Sequence, residues 1–337
     1  MPRLSICIPT YNRAHLLPET VETILCQTYS DFELVIVDNN STDNTEYVVR
    51  QMDDPRIRYV KNPVNVGLIL NNNRCIEEAA CELIAVYHDD DLYHPDIVRR
   101  SVELFDRYPS AGVVCTSMLQ VEPDRPNQVV CEQIRDWDEL MPGKAMRLEL
   151  LSRWDCRIPH PTTMVRRACY EELGGAFRPE FGGATDREFW LRVFRTWDLA
   201  YIKDPMARLR DRPKGLPTNR YKAAEHAISH WEQLTSQIDI QQLHIALEYQ
   251  DQPLQFAYQR VKLRWDAHRE LWRWNLLMLA KGQNEVTCRA EAAFRKGGMP
   301  FSAEVARMLH SSSLARTLLA RALVKYRGVA RSAQGQA

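Results

Sequence analysis

Apolar and polar positions alternate in blocks along the first 120 residues. Short apolar runs at 4–8, 32–37, 57–60, 83–87 and 112–117 read as strands. Between them lie segments whose apolar residues recur at helical spacing. In residues 14–27 these are Leu17, Val21, Ile24 and Leu25. Segments 42–52 (opened by Ser41 or Thr42 as cap), 68–80 and 95–107 have the same character. Strands separated by helices predict βαβ units and a mainly parallel sheet. Ligands of such sheets bind beyond the carboxyl ends of the strands. The polar clusters fall at those ends: Pro9-Thr10-Tyr11-Asn12 after the first strand, DNNSTD (38–43) after the second, HDDD (88–91) after the fourth.

The pattern then changes twice. Residues 118–213 read as irregular and rich in Pro and Arg. They hold PHPTT (159–163), LGG (173–175) and GATDREFWLR (183–192). In the last, Thr185 and Glu188 have capping-box spacing, which makes Thr185 the expected N-cap and Asp186 the first helical residue. From about 220 helical spacing dominates, with Trp265, Trp272 and Trp274 among basic residues. The final segment, 311–331, carries five basic residues, no acid and one apolar face. Such a face covers protein, a second subunit or an anionic membrane surface.

Composition narrows the class. Lys+Arg and Asp+Glu both total 44 in 337 residues, so no bulk charge favours nucleic acid. The nine cysteines are scattered without a C-x-x-C pair, and read as reduced thiols. Cys7, Cys26 and Cys115 sit in apolar runs as small core residues. No stretch approaches the roughly 20 apolar residues of a membrane span. The expectation is a cytoplasmic protein, or one lying on the inner membrane face without crossing it.

Three adjacent carboxylates at a sheet edge suit a hard divalent cation, Mg²⁺ or Mn²⁺, which shares its shell with phosphates and water. The alternative is a solvated acidic loop at the start of the next helix. Asp38 could accept from a base N–H or a ribose hydroxyl, or cap the following helix. Thr10 and Asn12 face the same choice between nucleotide contact and turn. Arg208, Arg210 and Arg212 could clamp a diphosphate, or form a solvated basic loop. His160, between two prolines, could position an acceptor or be structural.

The motifs SICIPTYNR (5–13), CQTYSDFELVIVDNNSTDNT (26–45), NVG (65–67) and HDDDLYHPD (88–96), in that order, resemble the inverting glycosyltransferases of family 2. LGG (173–175) and Thr185-Asp186 continue the likeness; the tail after about 215 carries none. The resemblance implies a GT-A fold, an α/β Rossmann-like domain over 1–215. Residues 1–117 would be its nucleotide-sugar half and 118–215 its acceptor half, with a mostly α-helical extension over 216–337. It implies a nucleotide-sugar donor, usually a UDP-sugar, with Mg²⁺ or Mn²⁺ on its diphosphate. The acceptor hydroxyl would sit on a glycan, a lipid-linked sugar or another molecule. Carried over by position, Pro9, Thr10, Tyr11, Asn12, Asp38, Asn40, Arg74, Asp89 and Asp90 fall to the donor, Asp90 and Asp91 to the metal, and Asp186 to the general base. His88 stands where the family usually has its first Asp, Thr185 where it has Glu. Residues 207–213 lack the family's late His. A sugar nucleotidyltransferase would show a Gly-rich loop after the first strand, where this chain has no glycine. A binding-only relative would be expected to lose Asp38, Asp90, Asp91 and Asp186.

Overall fold

A computed structural model describes residues 2–122, 125–152, 158–210, 240–241, 243–249 and 251–252. The chain divides into two compact units, Met1–Thr218 and Asn219–Ala337. In the second, the described residues from 240 to 248 are helical, and Ile240, His244 and Ile245 are buried. The tail tryptophans, segment 311–331 and Arg212 lie outside the described residues.

The first unit is built on one mixed sheet. Four parallel strands come first: β1 (Leu4–Thr10), β2 (Phe32–Asp38), β3 (Ile57–Lys61) and β4 (Leu83–Val86). Every residue of β1 and β4 is buried, as expected of strands covered on both faces. Helix α1 (Leu17–Leu25) lays Leu17, Val21 and Ile24 on one face, in a core with Ile6, Ile8, Leu34 and Ile36. Helix α3 (Leu68–Glu78) buries Cys75 and Ile76, and Cys7 Sγ donates to Cys75 O at 3.3 Å. Gly67 opens α3 at φ 85°, a backbone only glycine adopts freely. Helices α2 (Thr45–Arg50) and α4 (Ile97–Arg107) complete this half.

The second half is more ordered than its sequence reads. The strand expected over 112–117 runs as β6 from Ala111 to Glu122. The segment expected to be irregular holds β7 (Arg125–Gln133), β8 (Leu140–Met141), β9 (Met164–Arg166), β10 (Asp198–Arg210) and helices α5 (Gly143–Ser152), α6 (Arg167–Glu172) and α7 (Thr185–Val193). A two-residue strand, β5 (Leu92–Tyr93), closes the edge. The sheet order is β3-β2-β1-β4-β9-β6-β10-β5, with β7 on β6 and β8 on β10. Strand β9 runs antiparallel to both β4 and β6, and β10 runs parallel to β6.

Three local expectations are corrected. Thr185 is not an N-cap: a 3-10 turn over Pro179–Ala184 runs straight into α7, and the Thr185 hydroxyl donates to Arg178 O at 2.8 Å. Asp186 is therefore the second residue of α7. Glu188 is fully buried, and Arg192 Nε donates to it at 2.8 Å. Neither Ser41 nor Thr42 caps α2, which starts at Thr45; Ser41 is bonded to Asp38 instead. Cys26 is exposed, one residue past the end of α1, whereas Cys7 and Cys115 are buried as expected.

Candidate active site

The carboxyl ends of β1, β2 and β4 define the site. Register places Thr10 opposite Asp38, and Cys7 opposite Val86. Asn39 N donates to Thr10 O and Asn62 N to Asp38 O, both at 2.8 Å, so the three chains leave the sheet side by side.

Asp38 is fully buried and fully bonded. Ser41 N (2.8 Å) and Ser41 Oγ (2.6 Å) donate to Oδ1, and Tyr59 Oη donates to Oδ2 at 2.5 Å. Burial first, and the Asp38 hydrogen bond second, push the Tyr59 phenol up, so it stays a donor. Asn12 and Asn40 both have positive φ (53° and 63°), a conformation Asn tolerates better than most side chains. Asn12 staples the loops together: its N donates to Ser41 Oγ at 2.9 Å, and its Oδ1 accepts from Thr42 N at 2.8 Å. Pro9 and Thr10 are buried, while Tyr11 is exposed at the rim.

Behind Asp38 lies a buried amide chain that the sequence reading missed. Asn62 Nδ2 donates to Asn39 Oδ1 (3.2 Å) and to Asn71 Oδ1 (2.8 Å), and Asn71 Nδ2 donates to Val37 O at 3.1 Å. Asn39 also binds Asn65 Oδ1 and Val66 N, both at 2.9 Å, which ties the NVG turn to β2. The run Asn71-Asn72-Asn73 was the visible signal, since asparagines inside a helix need a reason.

The acidic loop 88–91 is held from both sides. It leaves β4 and enters β5, which pairs with β10 at Leu92↔Arg208 and Tyr93↔Ala207. Tyr93 Oη accepts from His88 N at 2.8 Å, and the Tyr93 ring stacks on Tyr87 with centroids 4.2 Å apart. His88 Nδ1 lies 3.2 Å from Asp91 Oδ2. His88, Asp90 and Asp91 each offer a ligand atom, all within 4.8 Å of one another, a spacing one cation can bridge. Asp91 is 2% exposed, with its Oδ2 turned to the His88 ring. Burial first, and Asp90 second, push Asp89 up to about 6. Burial opposes the charge on His88, but the three carboxylates, Asp91 foremost, outweigh it and raise its pKa.

Two arginines face this charge. Arg13 Nε lies 3.7 Å from Asp89 and Arg13 Nη2 4.0 Å from Asp90. Arg13 stands inside the first motif, yet the sequence reading gave it no role. Arg210 N donates to Asp91 Oδ1 at 3.3 Å and Arg210 Nε to Asp90 O at 2.5 Å. Its Nη1 meets Glu19 and its Nη2 meets Thr20 Oγ1 at 3.3 Å, so the guanidinium buttresses the loop against α1. Arg74, by contrast, is paired with Glu77 and Glu78 on α3.

The second half reaches the loop through aromatic contacts. The His160 ring lies 6.1 Å from His88, 5.3 Å from Phe177 and 6.1 Å from Trp190. Burial drops His160 to about 3, so it is a neutral imidazole. Trp190 and Asp186 are one turn apart on α7, which aligns them on one face. Arg187 N donates to Asp186 Oδ1 at 2.7 Å.

Among solved structures, S. aureus TarS 1–349 in complex with UDP-GlcNAc matches with TM-score 0.58 at 14% identity, covering 92% of this chain and 91% of that one. The mannosyltransferase PcManGT of Pyrobaculum calidifontis, solved with GDP-Man and Mn²⁺, matches with TM-score 0.54 at 21% identity, covering 94% and 83%. These likenesses place the fold in the GT-A class. The GalNAc(5)-diNAcBac-PP-undecaprenol beta-1,3-glucosyltransferase of Campylobacter jejuni is 38% identical over 94 residues, 27% of this chain and 30% of that protein. Matches to the first curated relatives span between 30% and 65% of those proteins' length. The family model described as glycosyl transferase family 2 matches residues 5–174. The chain belongs to that family.

Proposed function

We propose that the chain transfers a sugar from a nucleotide-diphosphate sugar to an acceptor hydroxyl, with inversion at the anomeric carbon. One observation carries this reading. A buried, hydrogen-bonded Asp38 and the acidic loop His88–Asp91 share one sheet edge, the first placed to meet a nucleoside and the second its diphosphate. Asp38, with Thr10 and Tyr11 nearby, would hold the nucleoside. UDP-sugars are the donor class to try first, given the ligand of the TarS complex, with GDP-sugars second, given that of PcManGT. The name of the C. jejuni relative directs the acceptor search toward lipid-diphosphate-linked glycans.

The residues present fit a divalent cation, because His88, the buried Asp91 and Asp90 bring ligand atoms within 4.8 Å of one another. Asp90 and Asp91 would hold Mg²⁺ or Mn²⁺. Once bound, such an ion neutralises charge on the departing diphosphate. Asp186 takes the proton from the acceptor hydroxyl, which attacks from the face opposite the diphosphate. A helix N-terminus favours the carboxylate form such a base needs. Tyr11 and Asn40 would flank the nucleoside. His160, held neutral, would line the acceptor side. Arg210 would keep the loop in shape.

The test is transfer from, or hydrolysis of, UDP-sugars with Mn²⁺ by the wild type and by Asp90→Ala. Turnover lost in the variant supports the reading. Tight nucleotide binding without turnover on any donor and acceptor overturns it in favour of a binding-only protein.

A further inference from the structure

His88 is the residue by which the acidic loop departs from the family pattern, and its placement gives that departure a chemical use. The backbone of His88 is fixed by Tyr93 Oη, and its ring lies 6.1 Å from the neutral ring of His160. Nδ1 faces the buried Asp91 Oδ2 at 3.2 Å. Two donor atoms facing each other in this way match adjacent corners of one coordination shell. In an octahedron with bonds of roughly 2.1 Å, adjacent ligands lie about 3 Å apart and opposite ones about 4.2 Å. The spread of 4.8 Å across His88, Asp90 and Asp91 needs only a small contraction to close on an ion. The His88 side chain is 43% exposed, so the remaining corners face outward, where phosphate oxygens and water can enter.

Resting on the reading of this edge as a donor site, we propose that His88 Nδ1 is a third protein ligand, making the cation site one imidazole and two carboxylates. The nitrogen changes which ion the site prefers. Mg²⁺ favours an all-oxygen shell, whereas first-row transition ions accept imidazole readily. The site should therefore select Mn²⁺ and later divalent ions over Mg²⁺, and His88→Asp should shift that preference back toward Mg²⁺.

The experiment uses the full chain with Mn²⁺ and UDP. Pulsed electron paramagnetic resonance of bound Mn²⁺ reads a directly coordinated imidazole as ¹⁴N modulation. The wild type should show it, His88→Gln should lose it, and His160→Gln should keep it. Calorimetric competition should give Mn²⁺ at least about tenfold tighter than Mg²⁺ in the wild type, falling to within about threefold in His88→Asp. Mn²⁺ bound with UDP but without ¹⁴N modulation, or a Mn²⁺/Mg²⁺ ratio unmoved in His88→Asp, overturns the assignment and leaves the metal site standing on Asp90 and Asp91. Folded wild type that takes up no Mn²⁺ even with UDP overturns the metal site itself. The wild-type spectrum decides without any variant, and melting curves establish that the variants are folded.

Discussion

Asp38 and Asp91 are both buried aspartates at the same sheet edge, and they are built in opposite ways. Three donors from Ser41 and Tyr59 surround Asp38. Asp91 has one backbone donor, Arg210 N, two acidic neighbours, and an oxygen that faces the titratable His88 Nδ1 at 3.2 Å. A buried polar group left unsatisfied costs about 1–3 kcal/mol. The fold avoids that cost at Asp38 with three donors, and at Asp91 relies on one backbone donor and the His88 imidazole. On the proposed reading, the end at Asp38 is complete before any ligand arrives, while the loop would be completed by what it binds. Arg13 stands 3.7 Å from Asp89, and the Arg210 guanidinium holds the loop backbone at Asp90 O.

The largest effect expected from breaking this contrast is at the loop. Asp90→Ala should reduce transfer by about 10³-fold or more, because charge stabilisation of a leaving group is commonly the largest catalytic contribution. Mn²⁺ with UDP should stabilise the wild type by about 2.7 kcal/mol at a hundred times Kd, read as a higher melting temperature, and leave Asp90→Ala unchanged. Next comes Asp186→Asn, which should lower kcat by about 10²–10⁴-fold with the donor KM little changed, as loss of a general base does. An equal loss in donor binding would place Asp186 with the nucleotide instead. Third, Asp38→Ala should cost about 2–4 kcal/mol of stability, since Tyr59 Oη and Ser41 are left without their acceptor. Tyr59→Phe removes one donor of three and should cost about 1 kcal/mol, read by urea denaturation.

The same contrast explains what the sequence discloses. Strands β1, β2 and β4 are continuous apolar runs, so they and the polar clusters at their ends are legible. Strand β10 is not. Its sequence, DLAYIKDPMARLR, mixes charges and a proline, and register shifts around Ile202, Pro205 and Ala207 break any alternation. It is a strand because β6 and β5 flank it. Its last residue, Arg210, thereby reaches the acidic loop from 119 positions away. The capping box at Thr185 fails for a similar reason: Arg192 and the half-exposed Arg178 both pair with the buried Glu188, which local spacing cannot show. Residue types at the site were readable in the motifs, but which groups are satisfied and which are left waiting follows from packing alone.

The smallest effect has the most informative sign. Asp89 is pushed up to about 6 by burial and by Asp90, so the folded, metal-free chain holds an ionised carboxylate at pH 8 against an unfavourable setting. Its folded pKa lies above the ordinary carboxylate value near 4. Stability from this group is therefore present at low pH and lost as pH rises through about 6. A carboxyl moved that far carries roughly 2–3 kcal/mol. Its side chain is 14% exposed, and Arg13 stands 3.7 Å away, so about 1–2 kcal/mol is the expected gain on removing the charge. Asp89→Asn should then melt higher than the wild type at pH 8 in the presence of a chelator, and the gain should shrink as pH falls through 6 and vanish below about pH 4. Asp38→Asn should melt lower at both pH values, because it replaces an acceptor whose donors are already in place. A loop that is stabilised by losing an acid, beside a pocket that is destabilised by losing one, is what a site built to be finished by its ligand requires. If both variants melt lower, the loop is already balanced by Arg13 and Arg210, and the contrast between the two strand ends is one of geometry without a difference in electrostatic strain.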